Sequence, residues 1–225
     1  MDKKTQLYYL ELLGVQVWEP RMPQKVESCM KQQNSKKKSI ATMDWAELEE
    51  QVNKCKLCDL YKTRTKPVFG VGDRQADLMI VGEAPGANED KQGEPFVGRG
   101  GRLLNAMLQA INLTREQVYI ANILKSRPPN NRDPSPEEVA ACTPYLQRQI
   151  ALVRPKLILA VGRIAAHHLL ATNASMAELR GKDFTYGEQQ IPLIVTYHPA
   201  YLLRSPREKR KSWHDMQRVA KFLMS

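Results

Sequence analysis

The sequence predicts an α/β fold in which a short, mainly parallel sheet carries helices on both faces. Four short runs of β-branched residues and leucine are typical of strands buried on both faces. Helical patterns lie between these runs, and strands that alternate with helices favour parallel pairing. We therefore expect a sheet of four strands, with ligands bound beyond their carboxyl ends.

The predicted elements follow one another from Asp44 to the end of the chain. The first helix follows Asp44, with Leu48 and Val52 at helical spacing. The four predicted strands are residues 77–82, 117–124, 156–162 and 192–197. The helical patterns that separate and follow them are residues 101–113, 136–153, 163–172 and 208–224. This order places the loop after the first strand, together with Asn122 and His198, at strand ends.

The chain is predicted to divide into an N-terminal extension, residues 1–41, and one domain, residues 42–225. Residues 7–18 are apolar and stop at Glu19 and Pro20, and the polar, basic stretch 32–39 that follows can bury little. We interpret the extension as a short, apolar, adhesive segment on a basic, flexible tether.

The composition favours a polyanionic partner. The 225 residues include 34 Lys and Arg against 24 Asp and Glu, a net charge of +10. This balance is typical of nucleic-acid binding, although a solubilising surface is the alternative. No run approaches the roughly 18 apolar residues of a membrane span, and the first twenty residues do not resemble a secretory signal. We expect a monomer without membrane contact in the bacterial cytoplasm or nucleoid.

The loop after the first predicted strand, GEAPGANEDKQGEPFVGRGG, begins at Gly82. Glycines after a strand let the backbone approach an anion, as in phosphate-binding loops. Neither the lysine of those loops nor the spacing G-x-G-x-x-G is present here, and Glu83, Glu89 and Asp90 would repel phosphate. A phosphate site is therefore disfavoured.

A second motif, YHPAYLLRSP, spans residues 197–206 and ends a strand at His198, where Pro199 forces a turn. Its leucines are typical of core residues. The functional alternative is an apolar wedge that enters a base stack while nearby cations hold phosphates. The candidate DNA-binding residues are Tyr201, Leu202, Leu203, Arg204, Arg207, Lys209, Arg210 and Lys211.

The cysteines predict a metal centre. The four cysteines of a chain without a signal argue against a disulfide framework. Cys55 and Cys58 form a C-x-x-C motif, and Cys142 lies on a predicted helix. Two thiolates at this spacing can hold one iron or zinc centre from a single turn. A redox pair is the alternative, but such a pair starts a helix behind a strand, and no strand precedes this one.

The motifs GEAPGANED, EPFVG, ANILKSRPPNNRDP and HPAYLLR, in this order, resemble those of the family 4 uracil-DNA glycosylases, the iron–sulfur class of the uracil-DNA glycosylase superfamily. The resemblance covers about residues 43–222. It implies a three-layer α/β/α sandwich and hydrolysis of the N-glycosidic bond that joins uracil to DNA.

The resemblance also implies the roles of the pocket residues. Phe96 would stack under a flipped uracil, and Asn122 would read its edge by donating to O4 and accepting from N3–H. His198 would stabilise O2 as negative charge develops, and Glu83 would favour the sugar cation and order the water. Glu89 and Asp90 are alternatives for the water, or else order the loop. The other predicted pocket residues are Gly82, Ala84, Pro85 and Gly86.

Family members bind a [4Fe-4S] cluster through four cysteines, of which Cys55, Cys58 and Cys142 match the first, second and fourth. Ser126 stands where the third is expected, and a hydroxyl is a poor ligand for iron. Three outcomes stay open: a three-cysteine cluster with a weak fourth site, completion by Cys29, or a domain that folds without a cluster. An intact or labile cluster is the working hypothesis, because the C-x-x-C motif would otherwise have little reason to be present.

The extension carries a second resemblance. Residues 8–21, YYLELLGVQVWEPR, resemble the N-terminal segment of the psi subunit of the bacterial clamp loader, which docks on its partner chi. This implies a contact with a replication or repair protein through residues 7–21. A disordered or self-packing extension is the alternative.

Two classes of function remain open. The first is a DNA repair glycosylase that excises uracil, favoured by the presence of Phe96, Asn122 and His198 together. The second is a non-catalytic or repurposed DNA-binding module recruited through its N-terminal segment, favoured by Ser126 and the extension.

Overall fold

The computed structural model describes residues 39–224. The predicted contact segment, residues 7–21, Cys29 and nearly all of the extension lie outside this range, so the division at residue 41 stays a prediction. The first described element is a short 3-10 helix, Ile40–Thr42, followed by the buried side chain of Met43.

The sheet has six strands in the described part of the chain, so the prediction of four was wrong in number. They are β1 (Val71–Gly72), β2 (Leu78–Gly82), β3 (Tyr119–Asn122), β4 (Leu157–Val161), β5 (Phe184–Tyr186) and β6 (Ile191–Thr196), in the spatial order β1-β3-β2-β4-β6-β5. The four central strands are the predicted ones, and they pair in parallel. The two edge strands pair antiparallel and are two and three residues long. Their residues are exposed or half-buried, and therefore give no apolar run in the sequence.

The helices cover both faces of this sheet. They are α1 (Trp45–Asn53), α2 (Ala87–Gln92), α3 (Arg99–Gln109), α4 (Pro136–Val153), α5 (Arg163–Leu170), α6 (Met176–Leu179), α7 (Pro199–Arg204) and α8 (Lys209–Leu223). The α4 helix has the predicted bounds, because Ser135 caps it, Pro136 begins it and Glu138 completes a capping box. None of the described helices is long and apolar enough to cross a membrane.

The core lies in two layers separated by the sheet. Alternate residues of the central strands point to opposite faces. On one face Val81 and Ala160 pack with apolar residues of α4 and α5. On the other face Ile80 and Leu159 pack with α3 and α8. The α/β class and the burial of the sheet on both faces are therefore confirmed.

The register of the parallel strands sets the position of the pocket. Gly82, at the end of β2, pairs with Asn122 at the end of β3, and Val161 of β4 pairs with Thr196 of β6. The loops that follow these four strands therefore meet at one edge of the sheet.

Candidate active site

A cleft of about 940 Å³ opens at the carboxyl edge of the sheet. It brings together residues from loops that are far apart in the sequence. The predicted residues that line it are Glu83, Ala84, Pro85, Gly86, Glu89, Phe96, Asn122, His198, Tyr201 and Arg204. The convergence expected from the strand order is therefore present.

Gly82 lets an aromatic ring and an amide pack directly against its backbone, at the side of the cleft. A methyl group at Gly82 would lie 2.6 Å from Cζ of Phe96 and would also meet Oδ1 of Asn122. Real methyl groups do not approach other atoms so closely. Only glycine therefore allows Phe96 and Asn122 to approach the backbone here, which explains a glycine at the end of a buried strand.

Asn122 presents a polar atom that no described residue satisfies. The residue is 2% exposed, and its Oδ1 is buried without a hydrogen-bond partner. An unsatisfied buried acceptor costs about 1–3 kcal/mol. Oδ1 of Asn122 is therefore open to accept one further hydrogen bond.

Phe96 has an unusual backbone conformation that neighbouring residues maintain. Its φ is 54°, in the left-handed region, where a bulky residue costs on the order of 1–3 kcal/mol. Arg115 donates from Nη1 to the carbonyl oxygen of Phe96 at 3.2 Å and from Nη2 to that of Pro95. These two hydrogen bonds offset the strain at Phe96. The sequence did not indicate a role for Arg115, since it lies outside the predicted motifs, in a short 3-10 helix, Arg115–Gln117, before β3.

Glu89 and Asp90 order the loops around Phe96. Oε1 of Glu89 accepts hydrogen bonds from the backbone N–H groups of Val97, at 3.0 Å, and Gly98, at 2.9 Å. Asp90 is buried, and its Oδ1 accepts from the N–H of Thr65 at 2.9 Å. Of the two roles considered for these carboxylates, loop ordering is the one that these contacts support.

His198 is held as one neutral tautomer. Its Nδ1 accepts a hydrogen bond from the N–H of Ala200 at 3.2 Å. Burial lowers the pKa of His198 to about 4, with a smaller contribution from the charge of Arg204. A neutral imidazole whose Nδ1 accepts must carry its proton on Nε2. His198 therefore offers a fixed Nε2–H donor at neutral pH.

Glu83 lies in the same cleft beside an ion pair that sequence reasoning missed. Arg163 donates from Nη2 to Oδ2 of Asp133 at 2.8 Å, and both residues line the cleft. Burial raises the pKa of Glu83, the charge of Asp133 raises it further and Arg163 lowers it. The charge of Asp133 therefore disfavours the ionised form of Glu83.

The candidate DNA-binding residues divide by exposure. Leu202 is 1% exposed, which favours the core role that its sequence pattern also allows, and Leu203 is half-buried. The exposed members are Tyr201, Arg204, Arg207, Lys209, Arg210 and Lys211, on α7, the 3-10 helix Pro206–Glu208 and the first turn of α8. The ring centroids of Tyr201 and Tyr197 lie 5.0 Å apart. A basic, partly aromatic surface thus borders the cleft.

The three predicted thiols line a second, much smaller pocket together with Ser126. Burial raises the pKa of Cys142 to about 11 and that of Cys58 above its ordinary value. Within residues 39–224, no group of three metal-ligating side chains has the geometry to hold a metal ion. The three thiols are therefore gathered at one pocket, but not in a geometry that holds a metal ion.

The guanidinium of Arg64 contacts Ser126, which lines the pocket beside the three thiols at what we call its fourth corner. Ser126 is buried, and its Oγ accepts from Nη1 of Arg64 at 2.9 Å. Nη2 of Arg64 also donates to the carbonyl oxygens of Asn53 and Cys55, each at 3.1 Å. The residues at this corner do not fit a fourth cluster ligand.

The fold and the cleft together define a protein of the uracil-DNA glycosylase class, and the family model of the uracil DNA glycosylase superfamily matches residues 69–218. The chain is 43% identical to the type-4 uracil-DNA glycosylase of Sulfurisphaera tokodaii over 76% of this chain and 81% of that protein. It is 42% identical to the type-4 uracil-DNA glycosylase of Archaeoglobus fulgidus over 77% of this chain and 90% of that protein. It is 41% identical to the type-4 uracil-DNA glycosylase of Thermotoga maritima over 78% of this chain and 93% of that protein. The chain therefore belongs to the type-4 uracil-DNA glycosylases, and the predicted family is confirmed.

Proposed function

We propose that this chain excises uracil from DNA by hydrolysing the N-glycosidic bond, leaving an abasic site. The observation that carries this proposal is the buried Oδ1 of Asn122, which has no hydrogen-bond partner among the described residues and lines the same cleft as Phe96. A flat base with a donor on its edge would satisfy that oxygen while it stacks on the ring. Membership of the type-4 family supports the same conclusion.

The amide of Asn122 would select uracil over cytosine. Uracil presents N3–H to the free Oδ1 and presents O4 to the amide N–H. Cytosine has the opposite polarity at both positions, with an acceptor at N3 and an amino group at C4. Each buried group left unpaired would cost about 1–3 kcal/mol. A fixed amide is therefore sufficient for this discrimination.

His198 and Glu83 would stabilise opposite charges as the bond breaks. Negative charge develops on the departing uracil, and the Nε2–H of His198 would donate to its O2. A preorganised donor of this kind contributes roughly 2.7–4 kcal/mol in comparable sites. The carboxylate of Glu83 would favour the positive charge on the sugar and position the attacking water.

The exposed residues around the cleft would hold the DNA. Base excision requires the target nucleotide to leave the stack, which costs a few kcal/mol. Arg204 and the cations that follow it would bind DNA phosphates beside the cleft. Tyr201 and Leu203 would pack against the neighbouring bases at the position in the DNA stack that the flipped base has left. Such binding weakens steeply as salt concentration rises.

We further propose that a [4Fe-4S] cluster, where this chain assembles one, is held by Cys55, Cys58 and Cys142 and is labile at Ser126. When bound, such a cluster would supply a cross-link between the thiol loop and α4. The shared pocket of the three thiols supports this proposal, while the Arg64 contact to Ser126 argues for a weak fourth corner. No step of the proposed reaction depends on the cluster.

The predicted partner contact also remains a proposal. Residues 7–21 would bind a replication or repair protein, and the basic stretch behind them would act as a tether. Deleting residues 1–38 should then leave excision on short oligonucleotides intact. Loss of that activity would contradict the tether interpretation.

Excision is tested on a single strand that carries one uracil. Purified protein should yield alkali-sensitive scission at the uracil, and Asn122→Ala and His198→Ala should each reduce the rate by orders of magnitude. Asn173→Ala, at an exposed position outside the cleft, is the matched control and should match wild type. Binding of DNA without any scission would instead favour the second function, a non-catalytic DNA-binding module.

A further inference from the structure

Lys125 is a buried lysine directly behind the residue that reads the base. It is 2% exposed, and its Nζ donates to the backbone carbonyl oxygen of Asn122 at 2.7 Å and to Oε1 of Gln149 at 2.6 Å. Both acceptors are uncharged. Lysine is almost never fully buried without a charged partner, because desolvating its amine is costly. These two contacts are therefore the ones that hold the side chain inside the fold.

The backbone of Lys125 is fixed on both sides. Its carbonyl oxygen accepts from the N–H of Val68 at 2.8 Å. Its N–H donates to the thiol of Cys142, which lowers the pKa of that thiol against the larger effect of burial. These two bonds hold the main chain of Lys125 in place.

Gln149 fixes the amine from the other end. This residue of α4 is fully buried, and its Nε2 donates to the carbonyl oxygen of Phe69 at 2.8 Å and to the hydroxyl of Tyr119 at 3.0 Å. Those two bonds orient the amide so that its oxygen faces Lys125. The amine of Lys125 is thus positioned by hydrogen bonds that connect it, through Gln149, to α4, β3 and the loop at Phe69. Both the charged and the neutral amine can donate to the same two oxygens.

The peptide that follows Asn122 depends on this lysine. In this peptide unit, the N–H of Ile123 donates to the carbonyl oxygen of Gly82 at 3.0 Å. The carbonyl oxygen of Asn122 accepts from Nζ of Lys125. These bonds fix the two ends of the peptide plane at the point where the side-chain amide leaves the chain. A rotation of this plane would displace the Asn122 amide from its position at the cleft.

We propose that Lys125 is a positioning residue that holds the Asn122 amide in register with the edge of the base. The inference rests on the proposed uracil excision and adds a residue that does not touch the substrate. Displacing a recognition group by about 1 Å can cost on the order of 100-fold in rate. Removing the donor should therefore impair excision without altering the surface that binds DNA.

The test is a double-mutant cycle of Lys125→Met with Asn122→Ala, measured as single-turnover uracil excision. Lys125→Met alone should reduce the rate by on the order of 10- to 100-fold. In the Asn122→Ala background the same substitution should have no further effect, because the residue acts through that amide. Additive effects would overturn the proposal, since a general loss of structure would slow both backgrounds equally.

Two further measurements separate positioning from folding. Affinity for DNA that carries an abasic-site analogue should be unchanged in Lys125→Met, because no base has to be read. Lys156→Met, at an exposed lysine that pairs with Asp77, is the matched control and should behave as wild type. Where Lys125→Met does not fold, Lys125→Gln keeps one donor and is put through the same cycle with the same criteria.

Failure of this inference is distinguishable from failure of the proposed function. If the function is wrong, the wild-type protein releases no uracil. If only the inference is wrong, the wild type is active and Lys125→Met is either equally active or additive with Asn122→Ala.

Discussion

The rings of Phe96 and His198 lie with their centroids 5.6 Å apart and their planes within 29° of parallel. Each ring is fixed independently of the other. Arg115 and Glu89 maintain the loop of Phe96, and the N–H of Ala200 holds the imidazole. A cleft fixed in this way loses little conformational entropy when a base enters, which leaves more of the binding energy for selection and catalysis.

Gly82→Ala should impair excision by displacing the ring or the amide that would hold the base. The added methyl group would lie 2.6 Å from Cζ of Phe96, so that the ring or the Asn122 amide must shift. We expect a loss of kcat/KM on the order of 100-fold or more, with affinity for DNA carrying an abasic-site analogue retained. Gly187→Ala is the control, because a methyl group there meets no atom within 4 Å, although its φ of 67° makes the substitution mildly destabilising. Near-normal excision by Gly82→Ala would show that the base lies elsewhere.

His198 should remain neutral throughout the physiological range. Since its pKa is lowered to about 4, its ring signals in NMR should not titrate near the ordinary pKa of about 6.5. The nitrogen shifts should report a proton on Nε2 and none on Nδ1, because Nδ1 accepts from Ala200. A titration of His198 near neutrality would contradict a neutral donor to O2.

Asp133→Asn should move the acid limb of the excision rate to lower pH. The negative charge of Asp133 raises the pKa of Glu83 and Arg163 lowers it, so that removing the charge and freeing the guanidinium both lower that pKa. The carboxylate form of Glu83 then persists to lower pH. The side chains of Asp133 and Arg163 are more than half exposed, so the displacement should shrink as salt concentration rises. Asp77→Asn, which disrupts the ion pair with Lys156, should leave the limb in place. A limb that does not move would remove Glu83 as the titrating group.

Ser126→Cys should increase the iron bound per chain after anaerobic purification. The substitution supplies the fourth soft ligand beside Cys55, Cys58 and Cys142, and it replaces the acceptor of the Arg64 hydrogen bond. Iron analysis and visible absorbance measure the outcome. Ser205→Cys, on a different loop, is the control for adventitious binding by an added thiol. Equal iron content in wild type and Ser126→Cys would count against a weak fourth corner.

Local patterns were sufficient for the central part of the fold. The runs that predicted strands at 77–82 and 156–162 contain β2 and β4, in which every residue is buried, and burial on both faces is what produces an uninterrupted apolar run. The capping residues at Ser135 and Glu138 likewise specify the start of α4 locally. The edge strands β1 and β5 were missed because a half-buried strand of two or three residues leaves too short a pattern.

The sequence by itself therefore determined the order of the central elements, the family and the residues that gather at the carboxyl edge of the sheet. Only the tertiary structure decided that Lys125 turns inward, that Leu202 is buried and that Arg64 reaches Ser126. The last contact joins residues 62 positions apart. Periodicity and propensity act over a few neighbouring residues, whereas burial and hydrogen bonding of a side chain depend on segments that meet only when the layers pack.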